Sequence, residues 1–354
     1  MSSAACAPAW RAGRVVADAA MAAAGTAAPL AHPFEHRERG GPVRWRWLEW
    51  PGPRADAPLA LLLHGTGASA ESWSALGPRL ARRWRVVAPD LPGHAQSAVE
   101  HGRELSLPFM ARALAGLAAD HGWRPQWLVG HSAGAAIALQ TVLDGAFAPQ
   151  GVIALNGALL PLDGPVGRWF SPLARALALQ PLVPHLFSWH AHVPGVVERL
   201  LYGTGSRLTP AAVKRYRRLV TDPGHAGGAL RMMAAWDLGP LEAALPGLRV
   251  PLHLVVGETD RMLPPAHAER VRGALRSAQV HRLPGLGHLA HEEDAEAVAA
   301  LIERLAGPAA TGDPGNGAPS EARPEARPGV RPGVRSGTPS GTGSEAAPGK
   351  PSHR

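Results

Sequence analysis

The pentapeptide Gly130-His131-Ser132-Ala133-Gly134 is the strongest indication of the fold, because of its position in the chain. It follows an apolar run at residues 127–129 and opens a stretch, residues 133–143, with helical spacing. A serine between such glycines sits on a sharp turn from strand to helix, since glycine lets the backbone pass close to its neighbours. The glycine-serine pattern alone is weak, but this context predicts that Ser132 presents its hydroxyl at the edge of a sheet.

Short apolar runs and helical stretches alternate on both sides of this turn, which is typical of a sheet flanked by helices. Residues 43–49 alternate as a half-buried strand does. Continuous apolar runs, typical of buried parallel strands, lie at residues 59–63, 85–88, 127–129, 152–155 and 252–256, and a further strand is predicted at 279–283. Helices are predicted at residues 110–121, 133–143, 266–275 and 294–305. The fold class is therefore α/β, with a mostly parallel central sheet.

The alternation covers residues 42–159 and 246–306, which we predict to form the α/β core. Residues 160–245 break the pattern with helical pieces between prolines and glycines. We expect a helical cap there, inserted before the Asp260-bearing strand, over the carboxyl edge where open α/β sheets hold their ligands. Residues 1–41 are weakly patterned, and residues 307–354 are rich in proline, glycine and serine. Both segments are predicted to be poorly ordered.

A serine becomes an effective nucleophile when a histidine takes its proton and a carboxylate orients that histidine. Asp260 follows the strand at 252–256, and His288 follows the strand at 279–283. Carboxyl ends of parallel strands share one edge, so both side chains are predicted to meet Ser132 as a catalytic triad in the order Ser, Asp, His. His291 is the alternative base and Asp144 the alternative acid.

The oxyanion of acyl transfer needs two preorganised donors, usually backbone amides. The amide of Ala133, directly after the nucleophile, is one candidate. The loop that follows residues 59–63 supplies the other, and Thr66 is its predicted donor. The histidines have no paired metal-ligand spacing, and no phosphate-binding glycine motif occurs. Neither a metal nor a cofactor is predicted.

Composition narrows the class of partner for this chain of 354 residues. The net charge of +8 comes almost entirely from scattered arginine, so no nucleic-acid partner is predicted. The cluster at residues 214–218 is interpreted as a solvated helix face, with contact to an acidic ligand or partner as the alternative. A single cysteine, Cys6, implies no oxidising compartment, and no apolar run is long enough to span a membrane. A cytoplasmic protein is predicted.

Several phrases resemble α/β hydrolases, namely residues 64–68, 89–94, 130–136 and 285–293. Residues 155–159, 202–206 and 232–238 resemble the BchO type, assigned as magnesium-chelatase accessory proteins of bacteriochlorophyll biosynthesis. The resemblance covers residues 42–305 and implies the α/β-hydrolase fold, a role in photosynthetic pigment synthesis and a functional link to magnesium chelatase. Ala95 departs from the pattern, because a glycine is usual at its position.

Two functional hypotheses follow. The first is a serine hydrolase that acts on an ester-like bond of a small-molecule substrate, for which the resemblance implies a porphyrin as candidate. The second is a non-catalytic protein that binds or handles magnesium porphyrin, which an aromatic and methionine-rich cap favours unless those side chains only pack the cap. A non-hydrolytic use of the triad is a further option, because fold does not fix reaction. Candidate pocket residues are His64, Gly65, His131, Asn156, Trp169, Met232, Met233 and Trp236.

Overall fold

The computed structural model describes residues 32–100, 102–161, 180 and 182–308. These residues contain a nine-stranded sheet. Its strands are β1 Phe34–Gly40, β2 Val43–Trp50, β3 Leu59–Leu63, β4 Arg85–Pro89, β5 Ala98–Val99, β6 Pro125–His131, β7 Gly151–Leu155, β8 Leu252–Gly257 and β9 Gln279–Leu283. The order across the sheet is β1-β2-β4-β3-β6-β7-β8-β9, and β5 pairs with β2. From β4 to β9 every pair is parallel, as predicted, whereas the β2 pairings are antiparallel.

Helices connect the strands and flank the sheet. They are α1 Gly77–Leu80, α2 Leu107–Asp120, α3 Ala133–Leu143, α4 Val183–His190, α5 Val196–Gly203, α6 Pro210–Val220, α7 Pro223–Ala234, α8 Gly239–Ala244, α9 Pro265–Ala274, α10 Ala290–Glu293 and α11 Ala295–Leu305. Local chemistry fixes several helix starts. The Asp294 side chain, for example, accepts from Ala297 N–H at 2.9 Å and caps α11.

Both faces of the sheet are covered, which explains why its central strands are apolar throughout. In β3, Leu61 and Leu63 belong to the core on one face, where α2, α3 and α9 pack. Leu62 belongs to the core on the other face, where α1 and α11 pack. Successive strand residues alternate between faces, so a strand buried on both sides needs apolar residues at every position. The α/β architecture predicted from the sequence is confirmed.

Strand β1 corrects the prediction of a poorly ordered N-terminal segment for residues 34–40, while residues 1–31 lie outside the described residues. Residues 34–40 pair with β2 in an unbroken antiparallel register, from Phe34 opposite Glu49 to Gly40 opposite Val43. The side chains of β1 are mostly exposed, so the strand lacks the apolar alternation on which the prediction relied. Backbone hydrogen bonds to an existing edge, and the stacking of His36 on Trp47 at 5.0 Å, hold this polar strand instead.

We use the name cap for residues 182–245. They belong to the segment between β7 and β8, and the name leaves out Gln180 and the ends of the segment that adjoin the core. Its regular elements in this range are all helical, α4 to α8 followed by a short 3₁₀ turn. A Cβ on Gly228 would lie 1.6 Å from the carbonyl oxygen of Gly93, and one on Gly205 would lie 1.9 Å from that of Thr259. Glycine therefore lets the cap backbone contact core loops at the carboxyl edge directly. No described helix is both long and apolar enough to span a bilayer.

Candidate active site

The turn at residues 130–134, which we call the elbow, joins β6 to α3. Ser132 has φ 50° and ψ −118°, a conformation that non-glycine residues adopt only when their surroundings impose it. A Cβ on Gly134 would lie 2.1 Å from the carbonyl oxygen of Leu63, and one on Gly130 would lie 2.4 Å from Cα of Ala135. Close packing thus requires both glycines, and the elbow holds Ser132 at the carboxyl edge of the sheet.

His288 and Asp260 are in direct contact. Nδ1 of the imidazole lies 2.8 Å from Oδ2 of the carboxylate, and both residues are buried. The other carboxylate oxygen, Oδ1, accepts from the backbone N–H groups of Met262 at 2.7 Å and Leu263 at 2.9 Å. Because an ionised carboxylate only accepts, this contact places the proton of a neutral imidazole on Nδ1. Nε2 of His288 is then the nitrogen that can act as a base.

His131, which precedes Ser132 in the chain, contacts His288 directly. Its Nε2 donates to the backbone carbonyl of His288 over 2.9 Å, and the two rings lie 4.8 Å apart between centroids. Within the described residues, no hydrogen bond joins Ser132 Oγ to His288. Catalytic hydrogen bonds are often long until substrate binds. The serine-histidine contact of the triad therefore stays a prediction.

Asn156 follows β7 and supports the acid of this site. Its Nδ2 donates to Oδ2 of Asp260 at 2.6 Å, on the oxygen that also contacts His288. Asn156 is buried and has a positive φ of 45°, a backbone conformation that asparagine adopts more readily than most residues. The sequence placed Asn156 among the pocket residues and missed this role. Its position after a buried strand, at the same sheet edge as Asp260, was the signal for it.

The predicted oxyanion loop runs against the elbow. A Cβ on Gly65 would lie 3.0 Å from Cβ of Ser132 and 2.8 Å from Nδ1 of His131. Only glycine allows the backbone between His64 and Thr66 to approach the serine this closely. Ala133 is the first residue of α3, where N–H groups have no partner inside the helix. Both predicted donors thus belong to segments beside Ser132, and their roles stay predictions.

His64 contacts this loop from the protein interior. Its burial corrects the prediction that His64 is a pocket residue. Its side chain is fully buried, Nε2 accepts from Leu91 N–H at 2.8 Å, and Nδ1 lies 2.8 Å from the carbonyl oxygen of Gly65. Burial lowers the pKa of His64 to about 3, so the ring is neutral. With Nε2 accepting, Nδ1 carries the proton and donates to Gly65. Both nitrogens are engaged, and His64 has neither surface nor hydrogen bonds left for a ligand.

The alternatives for base and acid do not have the required surroundings. His291 is fully buried, both of its ring nitrogens lack a partner, and burial lowers its pKa to about 3. It packs between Trp73 and His131, with ring centroids 4.5 Å away on either side. Asp144 is exposed at the end of α3, where it accepts from Gln140 at 2.7 Å. The geometry therefore favours His288 and Asp260.

The predicted pocket residues of the cap divide into different environments. Met232 is fully buried on α7, and its Sδ lies 3.6 Å from Oγ1 of Thr66, so it covers the oxyanion loop. Met233 is half-buried beside it. Trp236 is buried in the main core, so its side chain packs the interior rather than forming a pocket wall. Trp169 lies outside the described residues.

The cap also contacts the loop that carries His288. The Ser206 hydroxyl accepts from Leu289 N–H at 2.8 Å. Three residues after Leu289, the buried Glu292 carboxylate accepts from the Tyr216 hydroxyl of α6 at 2.6 Å. Arg215, also on α6, contacts the same carboxylate at 2.8 Å. Burial raises the pKa of Tyr216 well above its ordinary value, so its hydroxyl stays a donor. Cap and base-bearing loop therefore form one hydrogen-bonded unit, which sequence analysis did not predict.

Comparisons with known proteins agree with this architecture. The model of the alpha/beta hydrolase family matches residues 60–301. The magnesium-chelatase 30 kDa subunit of Rhodobacter capsulatus is 40% identical over 266 residues, which cover 75% of this chain and 92% of that protein. The 2-hydroxy-6-oxo-6-phenylhexa-2,4-dienoate hydrolase of Burkholderia cepacia is 28% identical over 255 residues, or 67% of this chain and 83% of that protein.

Among solved structures, an alpha/beta hydrolase fold protein from Burkholderia ambifaria matches with a TM-score of 0.63 at 24% identity. The match covers 78% of this chain and 98% of that one, and it shows the shared fold. Together with the sheet order and the elbow, these similarities show that the chain belongs to the α/β hydrolase family and, within it, to the BchO type.

Proposed function

We propose that this protein is a serine hydrolase that cleaves an ester-like bond of a small-molecule substrate. The observation that carries the proposal is the 2.8 Å contact between His288 Nδ1 and Asp260 Oδ2 beside the strained Ser132 elbow. A strained serine next to a buried imidazole-carboxylate pair lowers the stability of the fold. A catalytic role explains why the protein keeps this arrangement.

The reaction follows from the proton states at the site. Nε2 of His288 takes the proton of Ser132 as Oγ attacks the substrate carbonyl, and Asp260 stabilises the imidazolium that forms. The amides of Ala133 and Thr66 hold the negative charge that develops on the carbonyl oxygen. His288 then donates its proton to the leaving alcohol, and a water molecule activated by the same imidazole releases the acyl group.

The biological setting we propose is magnesium-porphyrin synthesis, in functional connection with magnesium chelatase. The support is the 40% identity to a relative named as a magnesium-chelatase 30 kDa subunit. A relative named as a hydrolase, at 28% identity, supports hydrolytic use of the fold. The substrate would then be an ester on a porphyrin or on a precursor of one.

Complementation tests this proposal. A strain that lacks its own copy of the gene is supplied with wild type or with Ser132→Ala, and the pigment is measured. We expect wild type to restore pigment and a folded, equally abundant Ser132→Ala to fail. Full restoration by Ser132→Ala would mean that the hydroxyl is not needed, and it would contradict the proposal.

A second candidate is a non-catalytic porphyrin-binding protein that assists magnesium insertion. The half-buried Met233, which lies beside the oxyanion loop's neighbour Met232, favours it, because a methionine side chain adapts well to flat apolar ligands. Titration with protoporphyrin, followed by the fluorescence of the 11 tryptophans, tests binding directly. This candidate predicts saturable quenching that Ser132→Ala retains, and an absence of saturable quenching would remove it.

A further inference from the structure

Helix α4 has an inverted pattern of burial. Its one buried residue is Ser188, whose hydroxyl has no hydrogen-bond partner. Leu182, Leu186 and Trp189 are 77%, 63% and 69% exposed. A surface helix normally turns its apolar residues to the core and its polar residues to water. The exposed side of α4 is therefore a candidate surface for an apolar partner.

The apolar residues form one face. Leu182, Leu186 and Trp189 are separated by four and three residues, which places them on the same side of the helix. Val193, 44% exposed, continues that face in the turn after α4, and Phe187 lies beside it. Of all large apolar side chains that are exposed in the described ranges, only Phe34 and Met262 lie outside residues 182–202. Such concentration marks an interaction surface rather than scattered surface residues.

A basic groove adjoins this face. It lies between α5 and α6 and has a volume of about 710 Å³. His192, the neighbour of Val193, is one of its lining residues. Lys214, Arg217 and Arg218 line it. Between residues 180 and 220 the acidic residue is Glu198 alone, against the basic residues Arg199, Arg207, Lys214, Arg215, Arg217 and Arg218. The surroundings of the apolar face are thus strongly positive.

The ion pairs in this region do not remove the positive charge. Arg217 pairs with Glu198 and Arg218 with Glu71, while Arg215 pairs with buried Glu292. Lys214 and Arg199 are exposed, and neither has an acidic partner among the described residues. An occupant of this surface must therefore offer negative charge next to apolar material.

We propose that the α4 face and the α5–α6 groove bind the surface of an anionic lipid bilayer. Apolar and aromatic side chains insert between headgroups and acyl chains, and the cations next to them attract anionic lipids. A second copy of the chain fits less well, because a symmetric contact would bring two basic clusters together. Since this surface belongs to the cap that covers the Ser132 edge, membrane binding would bring the site to apolar substrates.

Vesicle cosedimentation of the full chain tests the proposal, with phosphatidylcholine vesicles that contain or lack phosphatidylglycerol. We expect wild type to bind only when phosphatidylglycerol is present, and less as salt is raised. Leu186→Ser with Trp189→Ser should weaken binding about tenfold or more. Phe34→Ser is the matched control, since Phe34 is 62% exposed on β1, and it should bind as wild type does.

A second pair of variants tests the charges separately. Lys214→Glu with Arg199→Glu should abolish the preference for phosphatidylglycerol, whereas Arg112→Glu, an exposed arginine on α2, should not. The arginines of residues 307–354 are common to all variants, so they cannot produce the difference. Wild type that stays in the supernatant, or equal loss in the control variants, would overturn the proposal. A dimer that Leu186→Ser with Trp189→Ser converts to a monomer, without vesicle binding, would assign the face to a second copy instead.

Discussion

Nδ2 of Asn156 donates a 2.6 Å hydrogen bond to Oδ2 of Asp260, the same carboxylate oxygen that contacts His288. The carboxylate is therefore fixed from three sides, by Asn156, by the imidazole and by backbone amides on its other oxygen. A carboxylate held in this way orients the imidazole without having to reorganise during the reaction. Under the proposed mechanism, Asn156 acts through Asp260 as a positioning residue.

Asn156→Leu should therefore lower kcat for an ester substrate by about tenfold, with little change in KM. The leucine keeps the volume but removes the donor, so Asp260 gains freedom to turn away from His288. Steady-state kinetics on a nitrophenyl ester measure this. Asp144→Asn, at an exposed carboxylate, is the control and should match wild type. A rise in KM with unchanged kcat would mean that Asn156 contacts substrate instead.

Buried His291 should make the protein sensitive to acid. Its pKa is lowered to about 3 from an ordinary value of 6.5, so below pH 6.5 the unfolded chain binds a proton that the folded chain excludes. Stability is then lost progressively as pH falls from 6.5 toward 3. At pH 5 this one ring contributes a loss of about 2 kcal/mol, at about 1.4 kcal/mol per pKa unit.

His291→Leu should remove that part of the acid sensitivity. Urea unfolding at pH 7.5 and pH 5 measures it, and the variant should lose about 2 kcal/mol less than wild type between the two. The imidazole nitrogens have no partners, so the apolar replacement breaks no hydrogen bond. His190→Gln, at an exposed histidine, is the control. An identical pH dependence in His291→Leu and wild type would refute this account.

The sequence predicted the parts of the fold that burial imposes. Strands covered on both faces, such as β3, must be apolar at each position, and that pattern is visible without coordinates. Strand β1 was missed because its side chains are mostly exposed and its stability comes from backbone pairing. Hydrophobic patterns in a sequence predict which side chains are buried, but they predict poorly which backbone segments pair in a sheet.

The site shows the same division. The positions of Ser132, Asp260 and His288 at the carboxyl edge were predictable because each follows a strand, while their joint role as a triad stays a prediction. The role of Asn156 was not, because an amide near a pocket can face a ligand or a neighbouring carboxylate, and only geometry decides. His64 and Trp236 were assigned to the pocket but are buried in the protein interior. Whether a side chain near the carboxyl edge of the sheet faces the pocket or the core depends on tertiary packing, which the sequence pattern does not show.

Ala95 should be a site of strain that glycine relieves. Its φ is 46°, in the left-handed region, at the position where the resemblance to α/β hydrolases implies glycine. Ala95→Gly should raise the free energy of unfolding by about 0.5 kcal/mol, since relief of strain slightly exceeds the added chain entropy. Ala115→Gly, inside α2, should have the opposite sign, at about 1 kcal/mol of destabilisation. A destabilising Ala95→Gly would show that the alanine is not strained.

The Tyr216 hydroxyl should couple the cap to the base-bearing loop. Tyr216→Phe leaves the buried Glu292 carboxylate with one donor fewer, which should cost about 2 kcal/mol of stability. Hydrogen exchange of residues 287–293 should also rise, because the loop loses a contact with α6. Tyr202→Phe, at an exposed tyrosine, serves as the control. Unchanged exchange in this loop would mean that the hydroxyl does not restrain it.

The nucleophilicity of Ser132 is tested most directly by a fluorophosphonate probe, followed by peptide mass spectrometry to locate the adduct. We expect a single adduct on Ser132 in wild type, none in Ser132→Ala, and a rate of labelling that falls by about a thousandfold or more in His288→Ala. An unlabelled, folded wild type, or an adduct on another residue, would contradict the claim that Ser132, His288 and Asp260 act as a triad.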